Sequence, residues 1–393
     1  RLAALAFSLL PQQRSAVTAL AFARLANAPN QASIALGGIL SSFSLMVAMA
    51  IMVASFRVSV DDWLSQVLFS DLYVRSGSSG NTAALSLQEQ QAIAATPGVA
   101  SAGFLRATQL TLDLSRPPVV LIARTIDAND PGKTLPLTGD SIAVRDGVPV
   151  WVSEAMIDLY GYRVGNTVTL PIGPAPCRCV VAGIWRDYAR QSGAIQMRLG
   201  DYRRLTGDDT VNDAALRLQA GVSAEQVMQA IRRLPFGNAL EFGLPGEIRR
   251  ASLDIFDRSF AVTYLLEAIA IVIGLFGVAA TFSAQTLSRA KEFGMLRHVG
   301  VSRRQILAML ALEGGLLSVL GIVAGFALGG AISLILVHVV NPQSFHWTMT
   351  MHMPWKLLFS VATVLFASSS ATALLAGRYA VSGDAVRAVR EDW

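Results

Sequence analysis

Polar positions almost vanish from four long runs of this chain. Ile34–Phe56 carries no charge, Phe260 to about Ser288 carries only Glu267, Ile306 to about Val340 only Glu313, and Trp355–Gly377 only Lys356 at its edge. A helix crossing a bilayer needs about 20 apolar residues, and at 1.5 Å per residue the first run is about 34 Å long, enough to cross with modest tilt. A helix in a soluble core would show polar positions at helical spacing, and these runs have almost none. The pattern predicts four spans, at 34–56, 259–288, 306–340 and 355–377.

The segment 57–258 reads differently. Asp71–Arg75, Val99–Leu114, Val119–Thr125, Arg178–Ile184 and Ala215–Leu218 have the alternation and β-branched content of strands. Ser86–Ala95 reads as a helix with a capping box from Ser86 and Glu89, and Ser223–Leu234 as a second capped helix. Val148–Leu170 suggests strand, helix, turn and strand, with Gly161 and Gly165 as breakers. Asp, Gly and Pro cluster at 126–148, so two lobes are expected, joined there. The expected class is an α-helical membrane protein of four spans with a two-lobed α+β domain between spans one and two.

Composition agrees. The 393 residues are 53% hydrophobic and only 15% charged, with mean hydropathy +0.48, against about 25% charged in soluble domains. The net charge of +5 is too small for a nucleic-acid binder without a clustered patch. Residues 57–258 are nearly neutral, with 20 Lys+Arg and 21 Asp+Glu. Arg1, Arg14 and Arg24 precede span one with no acid, and Arg289, Lys291, Arg297, Arg303 and Arg304 face only Glu292 between spans two and three. No Lys or Arg lies in Val340–Pro354. The positive-inside rule therefore places both termini and the 289–304 link in the cytoplasm, and 57–258 with the 341–354 loop outside. Trp63, Trp347 and Trp355 would form an aromatic belt at the outer boundary.

Signs of catalysis are weak. Gly132-Lys133-Thr134 resembles the end of a phosphate loop, but Asp127 stands at the first glycine position. Cys177 and Cys179 would point to one side of a strand, where a disulfide would be strained. His338, His346 and His352 fall around the outer loop, where they read either as polar residues at a wet boundary or as a metal or proton site.

The most informative segment is Thr286–Gln305. Phe293, Leu296 and Val299–Gly300 form a short apolar stripe, consistent with an amphipathic helix ended by Gly300, and Ser302 would cap span three. From spacing alone this is equally a basic interfacial helix resting on anionic lipid.

The stretch SRAKEFGMLRHVGVSRRQILAMLALEGGLLSVLGIVAGFALG resembles the hallmark of FtsX/MacB-type ABC transporter permeases, through Arg289, Glu292, Leu296, Arg297, Gly300, Ser302, Ile306, Glu313, Gly321, Gly325, Gly329 and Gly330. Leu20–Leu40 is similar to the family's cytoplasmic elbow helix (1–33) and the start of span one, and Val152–Tyr188 to its second outer lobe. The tail 378–393 resembles the family's closing segment, with Gly383-Asp384 where proline is usual.

The resemblance implies a non-catalytic subunit of the bacterial inner membrane that binds no cofactor itself. A cytoplasmic ABC ATPase dimer would use ATP and magnesium. The 286–305 link would be the coupling helix, with Arg289, Glu292, Phe293, Leu296, Arg297 and Gly300 docking on that ATPase. A second permease unit is expected, as a separate copy or as the other half of one chain; the sequence reads either as the C-terminal half of a longer ten-span member or as a four-span subunit lacking its first residues. Membrane lipid and an extracytoplasmic protein are further expected partners, and nucleic acid is not. Intramembrane Glu267 and Glu313 would pair between helices, Glu313 with an arginine of the link or in a coupling role, and Glu267 with a neighbouring helix or facing an outer cavity. Gly274, Gly277, Gly321, Gly325 and Gly329 would permit close helix packing. The expected function is ATP-driven movement of the outer domain to export, extract or release a lipid, lipoprotein or other hydrophobic substrate. The alternatives are a force-transmitting scaffold that activates an outer hydrolase, and an adhesion or sensory protein without an ATPase.

Overall fold

The computed structural model describes residues 29–77, 84–127 and 129–382, so most of the expected elbow helix and tail lies outside the described residues. The chain divides into two compact units: an α/β unit of 56–258 with 337–350, and a helical unit of the remainder.

The α/β unit begins within α1 (Pro29–Val67) and continues through β1 (Leu72–Ser76), α2 (Leu87–Ala94), β2 (Val99–Leu110), β3 (Val119–Arg124), β4 (Val148–Ser153), α3 (Glu154–Tyr160), β5 (Thr167–Leu170), β6 (Cys177–Trp185), β7 (Ala194–Arg198), α4 (Leu199–Thr206), β8 (Asp213–Leu218), α5 (Ala224–Arg232), β9 (Leu240–Gly243) and α6 (Pro245–Ser259). The Ser86–Glu89 capping box forms as the sequence predicts, and Ser223 with Gln226 repeats it at α5. All nine strands join one sheet, in the order β5-β6-β4-β7-β3-β2-β8-β1-β9. The expected two lobes are thus one continuous sheet. The seam is the parallel pairing of β3 with β7, which runs Val120↔Ala194 to Arg124↔Arg198. Strand β7 (AIQMR) escaped the sequence reading because four of its five residues are buried and it shows no alternation.

One face of the sheet packs Leu72, Val74, Leu121, Val150, Val152 and Met197 against Ile93 of α2, Met156 of α3, Tyr202 of α4 and Val227 and Ile231 of α5. On the other face the 125–147 connection folds back, setting Ile126 and Leu135 against Ile122, Trp151 and Trp185. Cys177 and Cys179 are free, buried thiols on the first face, Sγ to Sγ 3.1 Å.

Residues 337–350 belong to this same unit. A π-helical turn (Leu336–Val340) leads to α10 (Asn341–Phe345), which ends at His346 in a left-handed conformation, φ 60°. The chain then runs extended. Trp347 and Met349 are buried, while Thr348 donates its backbone N–H and hydroxyl to the two Glu154 carboxylate oxygens at 3.0 and 2.6 Å. The Thr348 carbonyl accepts from the Tyr188 hydroxyl at 2.8 Å, and Thr350 N–H reaches Ser59 Oγ at 3.1 Å. The expected outer loop is therefore a strap pinned to the α/β unit. Trp347, 4% exposed, stacks on Phe345 and meets Phe56 and Tyr188 edge-on or tilted. It is a core residue rather than part of a lipid-facing belt.

In the helical unit, α7 (Ala261–Ser288), α8 (Ala290–His298), α9 (Arg303–Ile335) and α11 (Trp355–Ser382) pack with the first part of α1. Four helices, including α1, are long and apolar enough to cross a membrane. Their centre gathers Phe43, Met46, Val47, Ile51, Leu358 and Leu365, whereas Val262, Leu265, Ile273, Phe276 and Phe359 point outward. An apolar exterior of this extent suits hydrocarbon, not water.

Candidate functional site

Helix α8 and its junctions hold the residues that the sequence singles out. The α8 terminus is a Schellman turn: Gly300, at φ +99°, donates its N–H to Arg297 O at 3.1 Å, and Val301 N–H reaches Leu296 O at 3.0 Å. Only glycine takes that backbone conformation cheaply. The Ser302–Gln305 capping box then starts α9.

One side of α8 is fixed to its own chain. Phe293, 1% exposed, packs with Ile306, Met309 and Leu310, and Leu296 and Val301 lie against the same cluster. Arg289 forks onto Glu313, Nη1 to Oε2 at 2.8 Å and Nη2 to Oε1 at 3.3 Å, while its Nε lies 3.5 Å from Glu292. The same guanidinium sits 5.4 Å over the Phe293 ring. Both partners are nearly enclosed, with side chains 11% and 9% exposed. The arginine expected to pair with Glu313 is therefore Arg289.

The docking expectation needs revision at Phe293. Its ring is consumed by internal packing and is not a contact surface. The residues α8 turns outward are Lys291, Met295, His298 and Val299, with Met295 63% and Val299 84% exposed. Their spacing of four, three and one describes a single helix face. Arg297 is half-buried and Gly300 exposed. A one-residue difference in phase hid this from the sequence, because Phe293 and Val299 both belong to the apolar stripe and only the partner helix α9 decides which of them is covered.

The other expectations divide. A Cβ on Gly321 would meet Ile39 at 2.6 Å, on Gly325 Phe43 at 3.0 Å, on Gly329 the Ser44 carbonyl at 2.6 Å, and on Gly274 Ser42 at 2.7 Å, so these four sit at close helix crossings. Gly277 has nothing within 4 Å and is not such a crossing. Glu267 is buried at 9% exposure with Oε1 lacking a hydrogen-bond partner. His346 Nδ1 lies 3.2 Å from Asp158. Among the described residues no group of three or more His, Cys, Asp or Glu side chains could hold a metal ion.

An α/β unit is thus inserted after the first of four long apolar helices, and a short basic helix links the second and third. Residues 32–234 match the MacB-like periplasmic core domain, more than half the chain, and residues 264–385 match the FtsX-like permease C-terminal family. The chain belongs to the FtsX/MacB-type ABC transporter permeases. It is 30% identical over 336 residues to an uncharacterized ABC transporter permease protein of Mycobacterium tuberculosis, covering 82% of this chain and 39% of that protein. It is 26% identical over 180 residues to the macrolide export ATP-binding/permease protein MacB of Bdellovibrio bacteriovorus, covering 44% of this chain and 26% of that protein. The chain thus spans well under half the length of either. Among solved structures it is similar to the periplasmic region of MacB from Actinobacillus actinomycetemcomitans, with TM-score 0.36, 12% identity, and coverage of 48% of this chain and 94% of that one. It is also similar to the extracellular domain of the noncanonic ABC-type transporter YknZ from Gram-positive bacteria, with TM-score 0.31, 14% identity, and coverage of 44% and 98%.

Proposed function

We propose that this chain is the non-catalytic membrane subunit of an ABC transporter, and that the Lys291–Met295–His298–Val299 face of α8 docks on a separate cytoplasmic ATPase. The observation that carries this reading is the division of labour on α8. One side is locked by Phe293 and the Arg289–Glu313 pair, and the opposite side presents two exposed apolar side chains flanked by Lys291 and His298. A rigid helix with an apolar centre and a basic rim suits a groove on another protein.

Nucleotide-driven closure of two such ATPases would draw two α8 helices together, and the spans would carry that motion outward. The chain passes between its two units at residues 55–56, 258–259, 336–337 and 350–351, so displacement of the helical unit has four covalent routes to the α/β unit. The cargo we propose is a lipid, lipoprotein or other hydrophobic molecule, since Glu267 and Glu313 are too few to line a polar path and Glu313 is neutralised by Arg289. The same observation favours a second reading, in which force alone reaches an outer partner and nothing is carried.

The test is association of the full chain with its ATPase. Met295→Asp with Val299→Asp should leave the chain folded and abolish co-purification and ATPase stimulation. Undiminished association of that variant would refute the docking face. Phe293→Ala should instead lower the stability of the chain itself, by about 3 kcal/mol for a buried aromatic truncation.

A further inference from the structure

The second face of the sheet carries a cavity of about 920 Å³ whose polarity changes along its length. At one end β9, β1 and β8 supply Glu241, Arg75 and Asp213, which stand side by side in register. At the other, β2 and β3 supply Leu105, Ala107 and Val120. Tyr73, two residues before Arg75 on the same face, is opposite Gly243, so no side chain of β9 stands beside it. Its hydroxyl is engaged, accepting from Ser70 N–H at 3.1 Å and donating to Val67 O at 3.4 Å, which leaves its ring as the part that can meet a ligand. Ile248 of α6, which a Cβ on Gly243 would meet at 2.9 Å, walls the cavity there.

The polar row reads acid, base, acid. Arg75 Nε donates to Asp213 Oδ1 at 2.8 Å, and this bond and charge, with a smaller pull from Glu241, hold the Arg75 pKa above its ordinary value. Among the described residues the Glu241 carboxylate and Asp213 Oδ2 accept no hydrogen bond. Arg190, the remaining charged lining residue, has Nη1 3.0 Å from Oδ2 of Asp187, a fully enclosed side chain. Two arginines therefore meet three carboxylates, and one negative charge is left over at the Glu241 end. Arg124 and Arg217 do not line the cavity; both lie over the Phe69 ring, at 5.6 and 5.7 Å.

We propose that this cavity binds a small amphiphile bearing an ammonium group, with Glu241 and Asp213 Oδ2 holding the cation and the β2–β3 end receiving the apolar body. The N–H donors of an ammonium match carboxylate oxygens that accept nothing from the protein, and an aromatic ring such as that of Tyr73 attracts a cation to its face. A cavity of this size fits a ligand of drug-like dimensions. An anionic amphiphile would be repelled by Glu241, and a neutral one would gain nothing from it. The site lies wholly within the α/β unit, goes beyond the docking reading of α8, and stands or falls without it.

Hydrogen exchange of the full chain in phosphatidylcholine nanodiscs tests the site, with 4-phenylbutylammonium as probe. The probe should slow exchange of β1 and β9 amides saturably and leave β5, at the far edge of the sheet, unchanged. At equal concentration 4-phenylbutanol and 4-phenylbutyrate should bind about fivefold more weakly or less. Glu241→Gln breaks no hydrogen bond, so the variant should unfold at the native Tm, yet it should weaken binding of the ammonium probe by about fivefold and erase its advantage over the alcohol. Retention of that advantage in Glu241→Gln, equal binding of the alcohol or the carboxylate to the native chain, or the absence of saturable slowing at β1 and β9 would overturn the proposal.

Discussion

Arg289→Gln removes one member of an ion pair whose partners are 11% and 9% exposed, and leaves the Glu313 carboxylate enclosed without its fork. Breaking such a pair on one side costs about 3–5 kcal/mol, because the remaining charge keeps its desolvation penalty. Replacing both partners with apolar residues of similar volume costs far less. The loss should fall on α8, since Arg289 is also its N-cap residue and lies 5.4 Å over the Phe293 ring. Hydrogen exchange of the full chain in nanodiscs reads this locally. Amides of α8 and of its C-terminal turn, Gly300 and Val301, should exchange on the order of a hundredfold or more faster in Arg289→Gln. The amides of α2 and α5 in the α/β unit should be unaffected. Arg289→Met with Glu313→Leu should recover most of the protection. Equal protection of α8 in Arg289→Gln and the native chain, or a double variant as open as the single one, would refute the view that this pair seats the helix.

Other expectations are equally direct. Gly329→Leu should severely destabilise the helical unit, since even a Cβ there meets backbone at 2.6 Å, whereas Gly277→Ala should be close to neutral; thermal unfolding of the two variants checks the contrast. Glu154→Ala removes both acceptors of Thr348 and should release the 346–350 strap, made visible by faster proteolysis within it at unchanged overall fold. Burial and the neighbouring Cys177 thiol push the Cys179 pKa far up, so the thiolate is scarce at neutral pH; maleimide should label it only after unfolding, and rapid labelling of native chain would contradict the packing described.

Much of the architecture was legible because its signals are local. Apolar runs marked the four helices long and apolar enough to cross a membrane, the Ser86–Glu89 and Ser302–Gln305 boxes marked helix starts, and Gly300 marked the end of α8. Each depends on a few consecutive residues and their backbone preferences. The excess of basic residues in the link was legible for the same reason. The family hallmark, being a linear motif, also contains both Arg289 and Glu313, the two partners of the enclosed ion pair.

Tertiary structure alone decided which side of each pattern is used. Phe293 and Val299 share one stripe, yet α9 covers the first and leaves the second 84% exposed. Gly274 and Gly277 look alike in sequence, and only the nearness of Ser42 separates them. The joining of two expected lobes through β3 and β7, the strap of 346–350 on Glu154, and the row of Glu241, Arg75 and Asp213 each bring together residues far apart in the chain. Such contacts are set by the packing of whole elements, and no local propensity encodes them.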